Sequence, residues 1–376
     1  LNIFSKGFRR ATAAGPDFSG TVSGRDPGRQ QEGADVKKTR RKATIYDIAK
    51  AAGISPSTVS LVLGGRWQGL RIREETAKRV LIAAEELGYS ANLRARGLRL
   101  NRSGLGGMIL PHYRNRFFAG LAEQFEIEAR RRGLCPIVVS TQRDAGTELA
   151  TARSLIAHQV EFLFVAGVHD PREINQFCAD AGIRSVNIDL PGEGAPSAIS
   201  DNRGAATEMT RILLQKFAGR APVDFLFFGG NPGDNSTVER MAGVRDAFRA
   251  QGVALPEAVF QCSGYQPPRI AEALRAHLAT RGGTMPNILF ANGVTALEGL
   301  LQVTAGPGLD LLRGSVIGCY DWDPFAANLP LDITFVRQDV EALIGAGFHL
   351  LDTVEKGGNP TLRVPASIRR APEPDP

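Results

Sequence analysis

The chain has 376 residues, enough for two or three domains, and its 43% apolar content is ordinary for a globular protein with a large core. No run of about 18 apolar residues is present, which argues against a membrane-spanning helix. The cysteines and histidines are scattered, without CxxC or Cys/His spacing, which argues against a disulfide framework, a metal site or a bound cofactor.

Residues 1–42 are expected to form a disordered basic tail, because Gly, Arg, Ser and Asp are frequent and no periodicity is present. They also lack the apolar segment of a secretory signal. The first methionine is Met108, so we hypothesise a non-AUG start near Val36, with residues 1–35 outside the native protein. The basic run at 37–42 is either a solvated tail or an arm over phosphates, and its position beside the next segment favours the arm.

Two short helices joined by a tight turn are predicted by the segment TIYDIAKAAGISPSTVSLVL. Thr44 is a suitable cap for the first helix, with Asp47 as its capping-box partner, and Gly53 ends that helix. Ser55 caps the second helix, which begins at Pro56. This pattern is typical of a helix-turn-helix, whose second helix can lie in a DNA major groove. A small helical bundle unrelated to nucleic acid is the alternative.

The distribution of charge favours nucleic acid over the simple bundle. Residues 37–102 carry fifteen Lys and Arg against five Asp and Glu, whereas residues 103–376 carry 25 against 30. A basic segment on a mildly acidic body suits a polyanion, because phosphate contacts supply most of the sequence-independent affinity for DNA.

The order TIYDIAKAAGIS-x-STVS, AAEELGY and N-x-x-A-x-x-L resembles the DNA-binding headpiece of the lactose/galactose repressor (LacI/GalR) family of bacterial transcription regulators. The loop Gly64–Arg73 has the length seen in the fructose-repressor (catabolite repressor/activator) branch. The resemblance implies a headpiece at 43–89 and a hinge helix at 90–102 that folds on DNA beside its twin. It implies DNA contacts by Thr44, Tyr46, Ser55, Pro56, Ser57, Thr58, Ser60, Leu61, Asn92, Ala95 and Leu98.

Within this set, the resemblance places base recognition on Pro56, Ser57 and Leu61. Leu61 departs from the Arg that many members carry, so it offers an apolar contact, for example to a thymine methyl, instead of a hydrogen bond to guanine. Leu98 would insert between base pairs in the minor groove, and the small Ala95 would let two hinge helices approach. A core leucine is the alternative for Leu98.

A third helix is predicted from about Arg73 to Leu87, closed by Gly88. Lys78 and Arg79 are expected to face outward, toward backbone phosphates. The inward stripe is expected to comprise Ala77, Val80, Leu81, Ala84 and Leu87.

Strands alternate with helices through the rest of the chain, and the strands are continuous apolar runs. This pattern predicts an α/β fold with parallel sheets covered on both faces. The resemblance implies that the helix-turn-helix headpiece is followed by a two-lobed periplasmic-binding-protein-like core at 103–376, which binds an effector between its lobes. Crossings between the lobes are expected near Ser200–Arg203, Asp332–Phe335 and Asn359–Leu362. The first lobe would then comprise about 103–201 and 335–358, and the second about 203–332 and 360–372.

Ligands of open α/β sheets bind beyond the carboxyl ends of the strands, where several polar residues of this chain are predicted to lie. Each alone is as readily a loop charge or a helix cap. Together, Asp189, Arg240, Asn292 and Asp321 match the positions where the family places its effector-binding residues. Trp322 would stack on a sugar face or belong to the core. The implied effector contacts are Tyr113, Arg116, Asp189, Arg240, Asn292, Asp321 and Trp322.

Two positions argue against a fructose phosphate as the effector. In the fructose-repressor branch, basic residues beside the matched positions help to hold phosphate, whereas this chain has Leu190 and Asp339 there. Another phosphorylated metabolite, held by Arg240, Arg114 or Arg116, and a neutral sugar both stay open.

The predicted function is an effector-controlled repressor of carbohydrate genes, a homodimer that binds a pseudo-palindromic operator in double-stranded DNA. It would act in the bacterial cytoplasm, at the nucleoid, without a membrane partner. A sugar-binding protein of a transport or sensing system, without DNA binding, is the alternative, and the basic headpiece argues against it. No nucleophile elbow, phosphate-binding loop or HExxH motif points to an enzyme.

Overall fold

The computed structural model describes residues 43–65, 67–89, 102–218, 223–355 and 357–370. The chain divides into two compact units, Leu1–Ala91 and Asn92–Pro376. No helix in the described ranges is long and apolar enough to cross a membrane. The predicted hinge contacts Asn92, Ala95 and Leu98 and the basic tail lie outside the described residues.

The first unit is a three-helix headpiece formed by α1 (Ile45–Ala52), α2 (Pro56–Leu63) and α3 (Glu74–Glu86). Its predicted caps are confirmed. The Thr44 hydroxyl accepts a hydrogen bond from the Asp47 amide at 3.3 Å, and the Asp47 carboxylate accepts one from the Thr44 amide at 2.7 Å. Gly53 ends α1 at φ 63°, a left-handed conformation that glycine adopts without steric cost.

The core of the headpiece is small and rests on a few side chains. Ile48 and Val80 are fully buried where the helices meet, and Ala83 is buried with them. The predicted inward positions Leu81 and Leu87 are wrong, because these side chains are 49% and 41% exposed. With only two short helices packed against it, α3 buries a narrow stripe that is mostly alanine.

The second unit alternates strands and helices, as predicted. Its strands are β1 (Leu105–Leu110), β2 (Cys135–Ser140), β3 (Phe162–Ala166), β4 (Arg184–Ile188), β5 (Ser197–Ser200), β6 (Phe225–Phe228), β7 (Phe260–Gln261), β8 (Ile288–Ala291), β9 (Val316–Tyr320), β10 (Ile333–Arg337), β11 (Thr361–Val364) and β12 (Ser367–Arg370). Its helices are α4 (Arg116–Arg131), α5 (Ala145–Ala157), α6 (Arg172–Asp180), α7 (Asn202–Phe217), α8 (Asn235–Arg249), α9 (Pro267–Ala279), α10 (Val294–Thr304) and α11 (Val340–Thr353).

The strands form two six-stranded sheets, each the centre of one lobe. The first has the order β11-β5-β4-β3-β1-β2 and is parallel throughout. The second has the order β12-β10-β9-β8-β6-β7, with only β12 antiparallel to its neighbour. Counted along the chain, the first five strands of each lobe therefore occupy the same relative positions in their sheets. Helices cover both faces of each sheet, and the buried strand residues are continuous apolar runs for that reason.

The crossings between the lobes differ from those predicted at two of three places. After Ser200 the chain enters α7, which packs on the second sheet. However, β10 pairs with β9 from Ile333 to Val336, so the second crossing follows Arg337. Likewise, β11 pairs with β5, so the third crossing follows Val364. The crossings predicted at 332–335 and 359–362 were placed too early, because pairing with distant strands decides which sheet a short strand joins.

Candidate functional site

The residues predicted to contact DNA lie on the surface of the headpiece where the structure describes them. Tyr46 is 74% exposed, and none of the others is buried: Thr44, Ser55, Pro56, Ser57, Thr58, Ser60 and Leu61. The Ser55 hydroxyl lies 3.0 Å from that of Ser57 and 2.9 Å from that of Thr58. The start of α2 therefore presents hydroxyl groups at the positive end of a helix, an arrangement that suits phosphate oxygens.

Arg79 is exposed, as predicted, but one end of its guanidinium also has a partner within the headpiece. Its Nη2 donates a hydrogen bond to the carbonyl oxygen of Ala52, at the end of α1. A carbonyl there has no partner within its own helix, so Arg79 ties the end of α1 to α3. Lys78 does lie on the surface, where it pairs with Glu74 at 3.1 Å.

In the second unit, buried charged residues from both lobes meet beyond the carboxyl ends of the strands. We call Asp189, Arg240, Asn292 and Asp321 the cleft cluster. Arg240, on α8, is 5% exposed. Its Nε donates to the Asn202 side chain at 2.8 Å, its Nη1 donates to the Asn292 carbonyl at 2.7 Å, and its guanidinium lies 3.6 Å from the centre of the Tyr320 ring. The structure thus brings together four of the predicted effector residues.

The two carboxylates of the cluster occupy matching places in the two lobes. Asp189 follows β4 and Asp321 follows β9, with φ values of 73° and 66°. A left-handed backbone is uncommon outside glycine, though Asp tolerates it better than most residues, and such positions cluster at functional sites. The Asp321 carboxylate accepts a hydrogen bond from Gln338 Nε2 at 2.6 Å. The Asp189 carboxylate has no hydrogen-bond partner among the described residues.

Burial changes the acidity of both groups. Removal from water raises the pKa of Asp189 from its ordinary value to about 6, while the nearby guanidinium groups of Arg240 and Arg143 oppose the rise. Burial also raises the pKa of Asp321, again against the attraction of Arg240. Both carboxylates are therefore held where a hydrogen-bond donor from a ligand would stabilise their ionised forms.

The Asn292 side chain is held in the cluster by a hydrogen bond and by close contact with the backbone of Gly230. Its Nδ2 donates to the Thr237 hydroxyl at 2.9 Å. Gly230, at φ +81°, lies so close that a Cβ there would sit 1.9 Å from that nitrogen. The glycine after β6 therefore leaves room for the amide of Asn292.

One group of contacts across the lobes was missed by sequence reasoning. His169, which follows β3, has its Nδ1 2.8 Å from Asp234 Oδ1, and the Tyr265 hydroxyl donates to Asp234 Oδ2 at 2.6 Å. The guanidinium of Arg143 lies 4.6 Å from the centre of the Tyr265 ring. In the sequence Asp234 looks like an ordinary N-cap of α8, yet its side chain makes no capping bond and turns to these partners.

The remaining predicted effector residues divide between the cleft and its surroundings. Arg116 from the first lobe pairs with Asp323 from the second, so it does join the lobes. Tyr113 lies apart from the cluster, since its hydroxyl donates to the Val138 carbonyl on β2 at 2.9 Å. Trp322 is half-buried and packs against the apolar core of the second lobe, as its alternative interpretation had it. In the described ranges, no group of His, Cys, Asp and Glu is arranged to hold a metal ion.

Comparison with known proteins agrees with both parts of the chain. Residues 44–92 match the family described as bacterial regulatory proteins, lacI family, and residues 106–331 match the periplasmic binding protein domain. The chain is 37% identical over 245 residues to the ribitol operon repressor of Klebsiella aerogenes, a match that covers 64% of this chain and 90% of that protein. It is 30% identical over 326 residues to the sucrose operon repressor of Klebsiella pneumoniae, covering 86% and 95%.

The same fold is found in the solved structure of the Lac repressor bound to ONPG in the repressed state. That match has a TM-score of 0.71 at 19% identity and covers 88% of this chain and 99% of the other. A solute-binding protein without DNA binding would not account for the matched headpiece, so that alternative is excluded. The chain is a DNA-binding transcriptional regulator, not an enzyme, and it belongs to the lacI family of bacterial regulatory proteins.

Proposed function

We propose that this regulator represses carbohydrate-metabolism genes and that a small sugar or sugar phosphate, bound between the lobes, sets its affinity for the operator. The observation that carries the proposal is the buried cleft cluster, in which Asp189 of the first lobe faces Arg240 and Asp321 of the second. Hydroxyl groups need both acceptors and donors, which the cluster supplies together. The relatives named for ribitol and sucrose operons support the same class of regulated genes.

On DNA, α2 lies in the major groove, with Pro56, Ser57 and Leu61 at the bases. Thr44, Tyr46, Ser55, Thr58 and Ser60 contact phosphates or bases nearby. The hinge at 90–102 pairs with that of a second copy, so that a homodimer matches a pseudo-palindromic operator. The protein acts in the cytoplasm, on the DNA of the nucleoid.

A chain of hydrogen bonds connects the cleft to the crossings between the lobes. The Ser200 hydroxyl, at the first crossing, donates to Gln338 Oε1 at 2.5 Å, and Gln338, at the second, donates to Asp321 at 2.6 Å. A ligand that changes the environment of Asp321 therefore changes the contacts of two crossing segments. Such a ligand shifts the balance between two arrangements of the lobes, and the affinity for the operator changes with it.

The proposal is tested by selecting binding sites for the full chain from a pool of random DNA duplexes and then measuring affinity by fluorescence anisotropy. At physiological salt we expect the selected duplex to bind roughly 10³-fold or more tightly than a scrambled one. The Leu61→Arg variant, carried through the same selection, should change the preferred base at one position of each half-site toward guanine. Equal binding of the selected and scrambled duplexes would contradict the proposal.

A further inference from the structure

Buried charge in the described part of the chain is concentrated around the cleft, and it is mostly negative. A single cation, Arg240, is buried there. Five carboxylates are buried: Glu148, Asp189, Asp234, Asp321 and Asp323. Like charges at close range in a low-dielectric site repel strongly, so this balance disfavours a further anion.

Three cations around the cleft are already engaged, and a fourth, Arg114, is exposed to solvent. Arg240 donates to Asn202 and Asn292 and lies against the Tyr320 ring. Arg116 pairs with Asp323, and Arg143 donates to the Gly167 carbonyl at 3.1 Å. A phosphate group would therefore have to displace existing contacts to pair with Arg240, Arg116 or Arg143, and the charge of the exposed Arg114 is screened by solvent.

Helix N-termini are the other common anion sites in proteins, and two of them begin beside the cluster. At the start of α8 stands Asp234, 1% exposed, whose carboxylate bonds His169 and Tyr265. At the start of α10, a Cβ placed on Gly293 would lie 3.9 Å from Asp321 Oδ2. Both helix ends therefore face a carboxylate of the protein where a phosphate would otherwise bind.

One acceptor in the cleft nevertheless has no hydrogen-bond donor among the described residues. The Asp189 carboxylate, 6% exposed, is close enough to Arg240, Arg143, Asp234 and Asp321 for their charges to act on it, yet it receives no hydrogen bond from a described residue. A nearly buried acceptor favours a donor, and since no described residue supplies one, the donor comes from water in the free protein or from a bound ligand. Hydroxyl groups donate to carboxylates without adding charge.

From these observations we infer that the ligand of this cleft is an uncharged polyhydroxylated molecule, a polyol or a sugar, and that Asp234 is a specificity-determining residue that rejects phosphate esters. The inference rests on the proposed function and narrows its ligand class. Hydroxyl groups of the ligand donate to Asp189 and accept from Arg240 or Asn292, while Asp234, held in place by Tyr265, repels a phosphate at the start of α8.

The test is calorimetric titration of the full chain with matched ligands: ribitol and ribitol 5-phosphate, fructose and fructose 1-phosphate, myo-inositol, and glucosamine as a cationic probe. We expect at least one uncharged compound to bind, at least tenfold more tightly than its phosphate ester or than glucosamine. Tighter binding of a phosphate ester, tighter binding of glucosamine, or no binding by any uncharged compound would overturn the inference. A phosphate ester that binds and changes operator affinity would leave the proposed function standing and overturn this inference alone.

Two variants isolate the role of Asp234. Asp234→Asn keeps the shape of the side chain and removes its charge, so the preference for the uncharged ligand over its phosphate ester should shrink at least threefold. Asp180→Asn, a change on the surface of α6, should leave the preference as in the wild type. An unchanged preference in Asp234→Asn, with the fold confirmed by its melting temperature, would remove Asp234 from this role.

Discussion

The two lobes of the core share one strand order, yet they bring different chemistry to the cleft. Each has an Asp in a left-handed conformation directly after its fourth strand, Asp189 in the first lobe and Asp321 in the second. In the second lobe, Asp321 is bonded by Gln338, and Arg240 is bonded to Asn292. The Asp189 carboxylate of the first lobe has no such bond among the described residues.

The two lobes therefore contribute to ligand binding in different ways. The polar groups of the second lobe hold one another in place, so that half of the site is pre-organised and little ordering is needed when ligand binds. The first lobe contributes an acceptor, Asp189, that receives no hydrogen bond from a described residue and is open to a donor from the ligand. We therefore expect a ligand held by the second lobe to gain its last hydrogen bonds from the first. Because those bonds form in only one arrangement of the lobes, binding favours that arrangement.

The largest expected effect follows from Arg240→Ala, which removes the organising residue of the second lobe. The side chains of Asn202 and Asn292 lose a partner and the buried carboxylates lose their counter-charge, so the free energy of unfolding should fall by about 3–5 kcal/mol. Effector binding should be lost as well. Urea unfolding and calorimetry provide the measurements, with Arg249→Ala, on the surface of the same helix, as the matched control. Wild-type stability together with wild-type effector affinity would show that Arg240 does not organise the site.

The next effect concerns Asp189 and depends on pH. Its pKa is about 6 in the folded protein, above its ordinary value of 3.8, so the folded state favours the protonated form. The stability that this group contributes is fully present below about pH 4 and is lost as pH rises through about 6. Asp189→Asn should therefore match the wild type near pH 4 and exceed it by about 2–3 kcal/mol at pH 8, without ligand.

Thermal melts of the wild type and Asp189→Asn at pH 4 and pH 8 check this expectation. Arg240, Arg143, Asp321 and Asp234 are the charged groups that act on Asp189, and none of them changes in the variant. The same variant should bind the effector poorly, because an amide cannot replace a carboxylate as acceptor at both oxygens. A variant that is less stable than the wild type at pH 8 would show that Asp189 has a partner in the free protein.

The smallest effect is expected from Gln338→Ala, which interrupts the hydrogen-bond chain between Ser200 and Asp321. Loss of two buried hydrogen bonds should cost about 1–3 kcal/mol. The effector-dependent change in operator affinity should shrink several-fold, while operator affinity without effector should stay close to that of the wild type. Gln302→Ala, on the surface of α10, is the control. An effector response of wild-type size would show that coupling between the cleft and the crossings follows another route.

Much of the fold could be predicted because local pattern and burial agree. The segment LGGMIL is apolar throughout, as a strand covered on both faces must be, and it forms β1 at 105–110. The segment CPIVVS forms the half-buried edge strand β2 at 135–140. The caps at Thr44 and Ser55 depend on residues two or three positions away, so they too are visible in sequence.

What could not be predicted depends on partners far away in the chain. Arg79 is exposed, as predicted, but its hydrogen bond to the Ala52 carbonyl on another helix could not be predicted from the sequence. Asp234 was not singled out in the sequence, because its partners His169 and Tyr265 lie on two other segments, one of them in the opposite lobe. The last two crossings were misplaced for the same reason, because pairing of β10 and β11 with distant strands assigns them to their sheets.

The central claim is that ligand in the cleft controls binding to DNA, and one measurement tests it directly. The affinity of the full chain for its selected duplex is measured by anisotropy, with and without a saturating ligand from the calorimetric titration. Coupling of about 1–3 kcal/mol predicts a change of roughly 5- to 150-fold in the wild type and none in Arg240→Ala. Operator affinity that stays the same while the ligand is bound would contradict the claim.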